Sequence, residues 1–124
     1  MTPSALLAVF VGAGLGGVAR YALGLAVPQP AWLPMAAGTL LVNLLGGFLA
    51  GVLFAACGPS WLKSHPLGLF MMTGVLGGLT TFSAFTAEGA ALLAERPALA
   101  ALQAAVHVFG CLFAFWLGGK AWGA

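Results

Sequence analysis

The sequence contains very little charge, and almost none of it is acidic. Among its 124 residues are two Glu, no Asp and four Lys or Arg, so charged residues make up 5% of the chain. Ordinary soluble domains carry about 25% charged residues, and a small soluble protein needs polar groups to cover its relatively large surface. The composition therefore excludes a water-soluble globular domain.

The scarcity of acidic residues also argues against an enzyme or a nucleic-acid-binding protein. No acidic residue precedes Glu88, so the chain has no carboxylate cluster for metal binding or acid–base catalysis. The net charge of +2 is too small and too scattered for a nucleic-acid patch. Cys57 and Cys111 are far apart and lie in apolar sequence, which is typical of small buried hydrophobic residues and not of a metal or redox pair.

The abundant feature of the chain is hydrophobic sequence, at 62% of all residues. A helix needs ~20 mostly apolar residues to cross a bilayer, and proline-containing breaks separate four such stretches, at about 4–27, 34–57, 66–94 and 97–122. The first stretch has no basic segment before it, which disfavours a cleaved signal peptide. We therefore expect an all-α integral membrane protein, with residues 1–124 forming one transmembrane domain surrounded by lipid in the inner or plasma membrane of the cell.

The positive charges are balanced across this four-span arrangement. Lys63 and Lys120 fall on one side of the membrane, and Arg20 and Arg96 fall on the other. Because neither side carries an excess, the positive-inside rule favours neither orientation. The balance predicts insertion in both directions and an antiparallel, dual-topology homodimer. A single topology fixed by a partner or by loop effects remains the alternative.

Two polar stripes run along the predicted spans. Elsewhere the spans repeat small residues at four-residue intervals, a pattern suited to close helix packing. Thr39 and Asn43 share one face of the second span, and Gln103, His107 and Cys111 share one face of the fourth. Polar groups in lipid are costly unless they are paired or line a cavity. Asn43 is equally consistent with an interhelical hydrogen bond and with a pore ligand, whereas a lone histidine such as His107 is more often a packing residue.

The third span is longer than one crossing requires and is poor helix-forming sequence at its centre. Gly77 and Gly78 are followed, after one leucine, by Thr80 and Thr81. This pattern predicts a break, with Thr80 or Thr81 capping a second half-helix through its hydroxyl group. Broken helices at membrane depth expose backbone carbonyl and amide groups that can serve ions. We interpret the segment as an ion site, with a flexible kink as the alternative.

Three motifs in this chain resemble those of a known family. The sequence GGLTTFSAF at 77–85 is similar to the signature of the CrcB/Fluc family of fluoride channels. GGVARY at 16–21 resembles the motif of that family's first helix, and GTLLVNLLGGF at 38–48 resembles that of its second. With the length, the four spans and the balanced charge, the resemblance covers essentially the whole chain.

The resemblance implies an antiparallel homodimer with two fluoride pores, each built from both subunits, that lets cytoplasmic fluoride leave passively and protects against its toxicity. Phe82 and Phe85 would form an aromatic box, since the edges of aromatic rings are positive and can hold a small anion. The family's fourth helix usually carries serine where this chain has a histidine, and Ala84 replaces a Thr or Ser. The residues implied for the fluoride pathway are Phe82, Phe85, Asn43, Ser83, Thr39 and His107.

The resemblance also implies a structural sodium ion at the dimer axis, which is the one cofactor expected. Its ligands would be the backbone carbonyls of Gly77 and Thr80. Arg20 and Glu88 match family positions at the wet ends of the helices, where each pore opens. For Arg20, a role as an anchor that reaches the membrane surface is at least as consistent with the sequence as attraction of anions.

Two rival functions remain at this stage. A small multidrug or guanidinium exporter also has about this length and four helices, but its proton-coupled exchange needs an intramembrane carboxylate, normally in the first span, and residues 1–87 contain none. A non-conducting assembly subunit would explain the glycine pattern but not Asn43, Thr80 and Thr81.

Overall fold

A computed structural model describes residues 2–30, 33 and 35–123, and these residues are helical over most of their length. The elements in chain order are α1 (Pro3–Ala26), α2 (Ala37–Cys57), α3 (Pro59–Ser64), α4 (Pro66–Gly68), a π-helical segment (Leu69–Leu76), α5 (Gly77–Leu79), α6 (Phe82–Glu95) and α7 (Pro97–Gly123).

Four helical stretches among the described residues are long and apolar enough to cross a membrane, as the sequence predicts. They are Pro3–Ala26, Ala37–Cys57, Pro66–Glu95 and Pro97–Gly123, with mean hydropathies from 1.4 to 2.2. The chain is therefore a multi-pass membrane protein whose regular secondary structure, over the described residues, is all helical. α4, the π-helical segment, α5 and α6 together make up the third span.

The second span begins later than the predicted residue 34, and Pro34 itself lies outside the described residues. The amide oxygen of Gln29 accepts a hydrogen bond of 2.9 Å from the Ala37 backbone N–H, and its NH2 group donates to the carbonyls of Leu33 and Met35. Gln29 thus satisfies an amide at the start of α2 from outside the helix. Met35 and Ala36 are not helical, and α2 starts at Ala37.

The helices associate as two closely packed pairs. α1 packs against the first half of the third span, and α2 packs against α7. A Cβ at Gly16 would overlap the Val75 carbonyl oxygen, and one at Gly51 would overlap the Phe115 carbonyl oxygen. These contacts confirm that the small residues at four-residue intervals bring helix backbones together, as expected where lipid removes the hydrophobic drive between helices.

The third span leaves helical geometry at two threonines. Thr80 (φ −79°, ψ 156°) and Thr81 (φ −147°, ψ 115°) are both extended, between the end of α5 and the start of α6. The double glycine that the sequence offers as part of a break is itself helical, and a Cβ at Gly78 would lie 2.5 Å from the Ala13 carbonyl oxygen of α1. Gly78 therefore serves close packing against α1, and the two threonines interrupt the helix.

Candidate functional site

A groove of about 440 Å³ runs between α2, the third span and α7 and contains six of the residues predicted from sequence. Those six are Asn43, Gly77, Thr80, Phe82, Phe85 and His107. The rest of its lining is mostly apolar, apart from Thr81 and Cys111. The groove is therefore a largely hydrophobic space into which a few polar groups project.

Asn43 binds the extended segment with both ends of its side-chain amide. Its Oδ1 accepts a hydrogen bond of 2.8 Å from the Thr81 N–H, and its Nδ2 donates one of 3.1 Å to the Thr81 carbonyl. The interhelical hydrogen bond, one of the two interpretations of Asn43 from sequence, is thus present. An amide nitrogen carries two hydrogens, and the Thr81 carbonyl is the one acceptor of Asn43 Nδ2 among the described residues. The second N–H has no acceptor among the described residues, and Asn43 lines the groove.

Thr81 also starts the second half of the third span. Its hydroxyl accepts a hydrogen bond of 3.2 Å from the Ala84 N–H, which makes Thr81 the N-cap of α6. The same hydroxyl lies 3.2 Å from the hydroxyl of Ser83, which is exposed at the surface of the chain. A threonine N-cap satisfies one of the free amides at a helix start. Of the two caps that the sequence allowed, Thr81 is the one used.

Three neighbouring aromatic rings, those of Phe82, Phe85 and His107, lie in the groove. The ring centroids of Phe82 and Phe85 are 5.3 Å apart, and that of Phe85 is 4.7 Å from that of His107. Phe82 is 74% exposed, and several other large apolar side chains of this bundle, such as Phe10 and Phe109, are similarly exposed. These ring contacts join the start of α6 to the middle of α7.

His107 is 4% exposed, and its two ring nitrogens have different surroundings. Nδ1 lies 3.1 Å from the Gln103 carbonyl oxygen one turn earlier on α7, whereas Nε2 is buried without a hydrogen-bond partner among the described residues. Gln103 is completely buried and donates from Nε2 to Glu88 Oε2 over 3.4 Å.

Thr39 and Glu88 extend this polar chain to α2. The Thr39 hydroxyl donates a hydrogen bond of 2.5 Å to Glu88 Oε1, so the carboxylate receives one hydrogen bond from α2 and one from α7. Glu88, predicted at a wet helix end, is half-buried and bonded within the bundle. Thr39, predicted as a donor to the anion, has its hydroxyl hydrogen directed at Glu88.

A second, smaller cavity of about 270 Å³ contains Arg20. Its lining also includes Thr39 and Thr81, and Thr81 lines the main groove as well. Arg20 is half-buried there and does not share the main groove with Asn43 or the three rings. The two cavities therefore adjoin the extended segment from different directions.

The residues predicted to hold sodium offer backbone oxygens that the break releases. In a continuous helix the Gly77 carbonyl would accept from the Thr81 N–H, but that N–H donates to Asn43 Oδ1 instead. Thr80 is extended, which turns its carbonyl out of the helical ladder. Carbonyl oxygens are the ligands that hard cations prefer, so this donor set fits a sodium ion.

Two residues at the centre of the polar network, Thr81 and Gln103, had no site role predicted from the sequence. Thr81 appeared there as a possible cap, although it also binds Asn43 and lines both cavities. Gln103 appeared as part of a stripe, although its complete burial and its bond to Glu88 link α6 with α7. For Gln103, the signal in the sequence was its position four residues before His107 on the same face of the fourth span.

Comparison with known proteins gives a consistent result along nearly the whole chain. The model of the family described as "CrcB-like protein, Camphor Resistance (CrcB)" matches residues 7–119. The fluoride-specific ion channel FluC of Aromatoleum aromaticum is 46% identical, over 97% of this chain and 92% of that protein. The proteins of the same name from Variovorax paradoxus and Neisseria meningitidis serogroup B are 43% and 40% identical, and each match covers at least 90% of both chains.

Proposed function

Because this chain belongs to the CrcB family, we propose that it is a fluoride-specific channel that lets fluoride leave the cell passively. The structural observation that carries the proposal is the interrupted third span, held by Asn43 at the edge of a groove that also contains Phe82 and Phe85. This arrangement places hydrogen-bond donors and aromatic rings in an otherwise apolar space within the bundle.

The groove has the chemistry that a small, strongly hydrated anion requires. Such an anion enters an apolar space only where donors replace its water, because an unpaired buried charge is very costly. The second N–H of Asn43 and the free amides at the start of α6 are donors of this kind, and the exposed Ser83 hydroxyl lies next to them, beside Thr81. The ring edges of Phe82 and Phe85 add positive potential without binding too tightly.

Passive conduction would move fluoride out of the cell. Hydrogen fluoride crosses membranes as a neutral molecule and dissociates inside a cell of neutral pH, which traps fluoride. A negative cell interior then drives the anion outwards, since each charge moved is worth ~2.3 kcal/mol per 100 mV. A channel in the inner or plasma membrane would protect the cell from fluoride without an energy source.

We propose that two copies assemble as an antiparallel homodimer with dual topology. Phe82, although part of the proposed pathway, is 74% exposed in one subunit, and a partner would cover it and complete the pore. The two-against-two distribution of Lys and Arg supports insertion in both orientations. Helix α6 would then act as the second half of a broken transmembrane helix that lines the dimer interior.

A structural sodium ion at the dimer axis completes the proposal. The carbonyls of Gly77 and Thr80 from the two subunits would hold it, and it would supply positive charge that fixes the two breaks together. Within this chain, Asn43 leaves the Gly77 carbonyl free to bind the ion, because Asn43 accepts the hydrogen bond of the Thr81 N–H that this carbonyl would accept in a continuous helix. The Thr80 hydroxyl donates to the Leu76 carbonyl over 2.9 Å and fixes the residue that turns its backbone oxygen outwards.

Arg20 and Glu88 are proposed to serve the entrances of the pathway. Arg20 would draw anions into the smaller cavity, where Thr39 and Thr81 also lie. Glu88 would hold Thr39 and Gln103 in place, since it accepts a hydrogen bond from each. An exporter that exchanges cations for protons would need a free central carboxylate, and the half-buried Glu88 is already bonded from both sides.

The proposal is tested by efflux from liposomes that contain the purified protein and are loaded with fluoride or chloride. We expect rapid release of fluoride, limited only by the counter-ion pathway, and no release of chloride above that of protein-free vesicles. Equal release of both anions would contradict fluoride selectivity. Proton movement driven by guanidinium or by a drug cation, without fluoride release, would favour the exporter.

A further inference from the structure

The hydrogen bonding of His107 determines which of its ring nitrogens carries the proton. Nδ1 faces the Gln103 carbonyl oxygen at 3.1 Å, and a carbonyl can only accept a hydrogen bond. Nδ1 must therefore be the donor. A neutral imidazole has a single N–H, so Nε2 of neutral His107 is a bare lone pair.

This lone pair is unsuited to the anion that the groove is proposed to conduct. Nε2 is buried and unpartnered among the described residues, and His107 lines the same groove as Asn43 and Phe85. Fluoride carries no proton and can only accept hydrogen bonds. A bare Nε2 beside it repels it, whereas a protonated Nε2 donates an N–H and adds a positive charge.

We infer that His107 is a proton-dependent fluoride ligand, so that acid increases the fluoride conductance of this channel. The inference rests on the proposed function and adds a specificity-determining residue to it. Histidine is the side chain that ordinarily changes charge between about pH 5 and about pH 8. Protonation at Nε2 leaves the Nδ1–H bond to Gln103 in place, so the change needs no rearrangement of the helix.

Few other ionisable groups face His107. α7 packs against α2 and α6. α6 contributes Glu88, which is connected to His107 through Gln103, and Glu95 lies at the far end of that helix. α2 carries no His, Asp, Glu, Lys or Arg, and Cys111 lies one turn further along α7 in the same groove. A pH response that depends on position 107 is therefore attributable to the imidazole.

The functional test is fluoride current across a planar bilayer that contains the purified protein, at about pH 8 and at about pH 5.5. Current is the appropriate readout because neutral hydrogen fluoride, which leaks through lipid in acid, carries no charge. We expect the wild-type current to be larger at about pH 5.5 than at about pH 8, because the protonated Nε2 donates a hydrogen bond to fluoride and adds a positive charge. His107→Ser and His107→Gln should give currents that do not change with pH, and His65→Gln should keep the wild-type response.

The outcomes separate the inference from the proposed function. Absence of fluoride current from the wild type at both pH values would overturn the proposed function itself. Fluoride current of equal size at both pH values would overturn the inference alone. An acid response that persists in both His107 variants would also overturn it, by assigning the response to another group.

A second measurement tests the tautomer without relying on conduction. The Nδ1 of His65 accepts a hydrogen bond of 3.2 Å from the Leu67 N–H, so neutral His65 must carry its proton on Nε2, the opposite arrangement. Nitrogen-15 spectra of the imidazole rings at about pH 8 should therefore show one histidine of each tautomer, assigned by His65→Gln. An Nε2–H tautomer at His107 would overturn the inference.

Discussion

The bond between Asn43 and the extended segment offers a quantitative test, and Asn43→Leu is the appropriate perturbation. Leucine has a similar size and shape, so it removes both hydrogen bonds to Thr81 with little change of volume. The Thr81 N–H and carbonyl, which bond at 2.8 Å and 3.1 Å, both lose a partner in a residue that is 7% exposed.

The expected loss follows from the cost of leaving backbone groups unpaired. A hydrogen bond contributes ~1 kcal/mol net, and a buried group left unsatisfied costs about 1–3 kcal/mol. The Thr81 carbonyl can still accept from the first turn of α6, so the N–H carries most of the cost. We expect Asn43→Leu to lower the free energy of unfolding by roughly 2–4 kcal/mol.

The assay is reversible unfolding in mixed detergent micelles, with Ser83→Ala as the matched control. Ser83 lies beside the same break and bonds to the Thr81 hydroxyl, but it is exposed and holds no backbone group. Its loss should cost less than ~0.5 kcal/mol. If Asn43→Leu unfolds with the same free energy as Ser83→Ala, Asn43 does not hold the break and this account of its role is wrong.

Three further predictions concern packing, the rings and topology. Gly118→Ala should lower the free energy of unfolding by about 1–3 kcal/mol, because the new Cβ would overlap the Phe48 carbonyl. Gly119→Ala should be nearly neutral in the same unfolding assay, because its Cβ would lie 3.8 Å from the Gly51 carbonyl. Phe82→Ile and Phe85→Ile should fold as monodisperse dimers on gel filtration, and at least one should lose about tenfold in fluoride efflux; wild-type efflux from both would make the rings packing residues. A tag at the carboxy terminus should be found on both sides of the membrane, and two Lys inserted after Gly58 should bias it to one side; a wild-type tag on one side only would contradict dual topology.

The sequence predicted those features that depend on composition and on short-range patterns. Four apolar stretches and their proline boundaries predict the spans, because length and hydropathy alone decide membrane crossing. Glycines at four-residue intervals predict close helix contacts, and the structure shows them between α1 and the third span and between α2 and α7.

Features that depend on long-range pairing were less accessible. Local propensity could not show that Gly77 and Gly78 remain helical, because α5 packs against α1 and Gly78 lies there against the Ala13 carbonyl. Similarly, the first amide of α2 is bound by Gln29, eight residues upstream. The link from Thr39 through Glu88 to Gln103 joins three helices, and no spacing within one helix indicates it.

The most direct test of the central claim is the reversal potential of the purified protein in a planar bilayer, with fluoride on one side and chloride on the other and the same cation on both. The account predicts a steady current at zero voltage, carried by fluoride. It also predicts a reversal potential far from zero, because chloride cannot carry current in the opposite direction. A reversal potential near zero would show that fluoride and chloride pass equally, and would contradict a fluoride-specific channel.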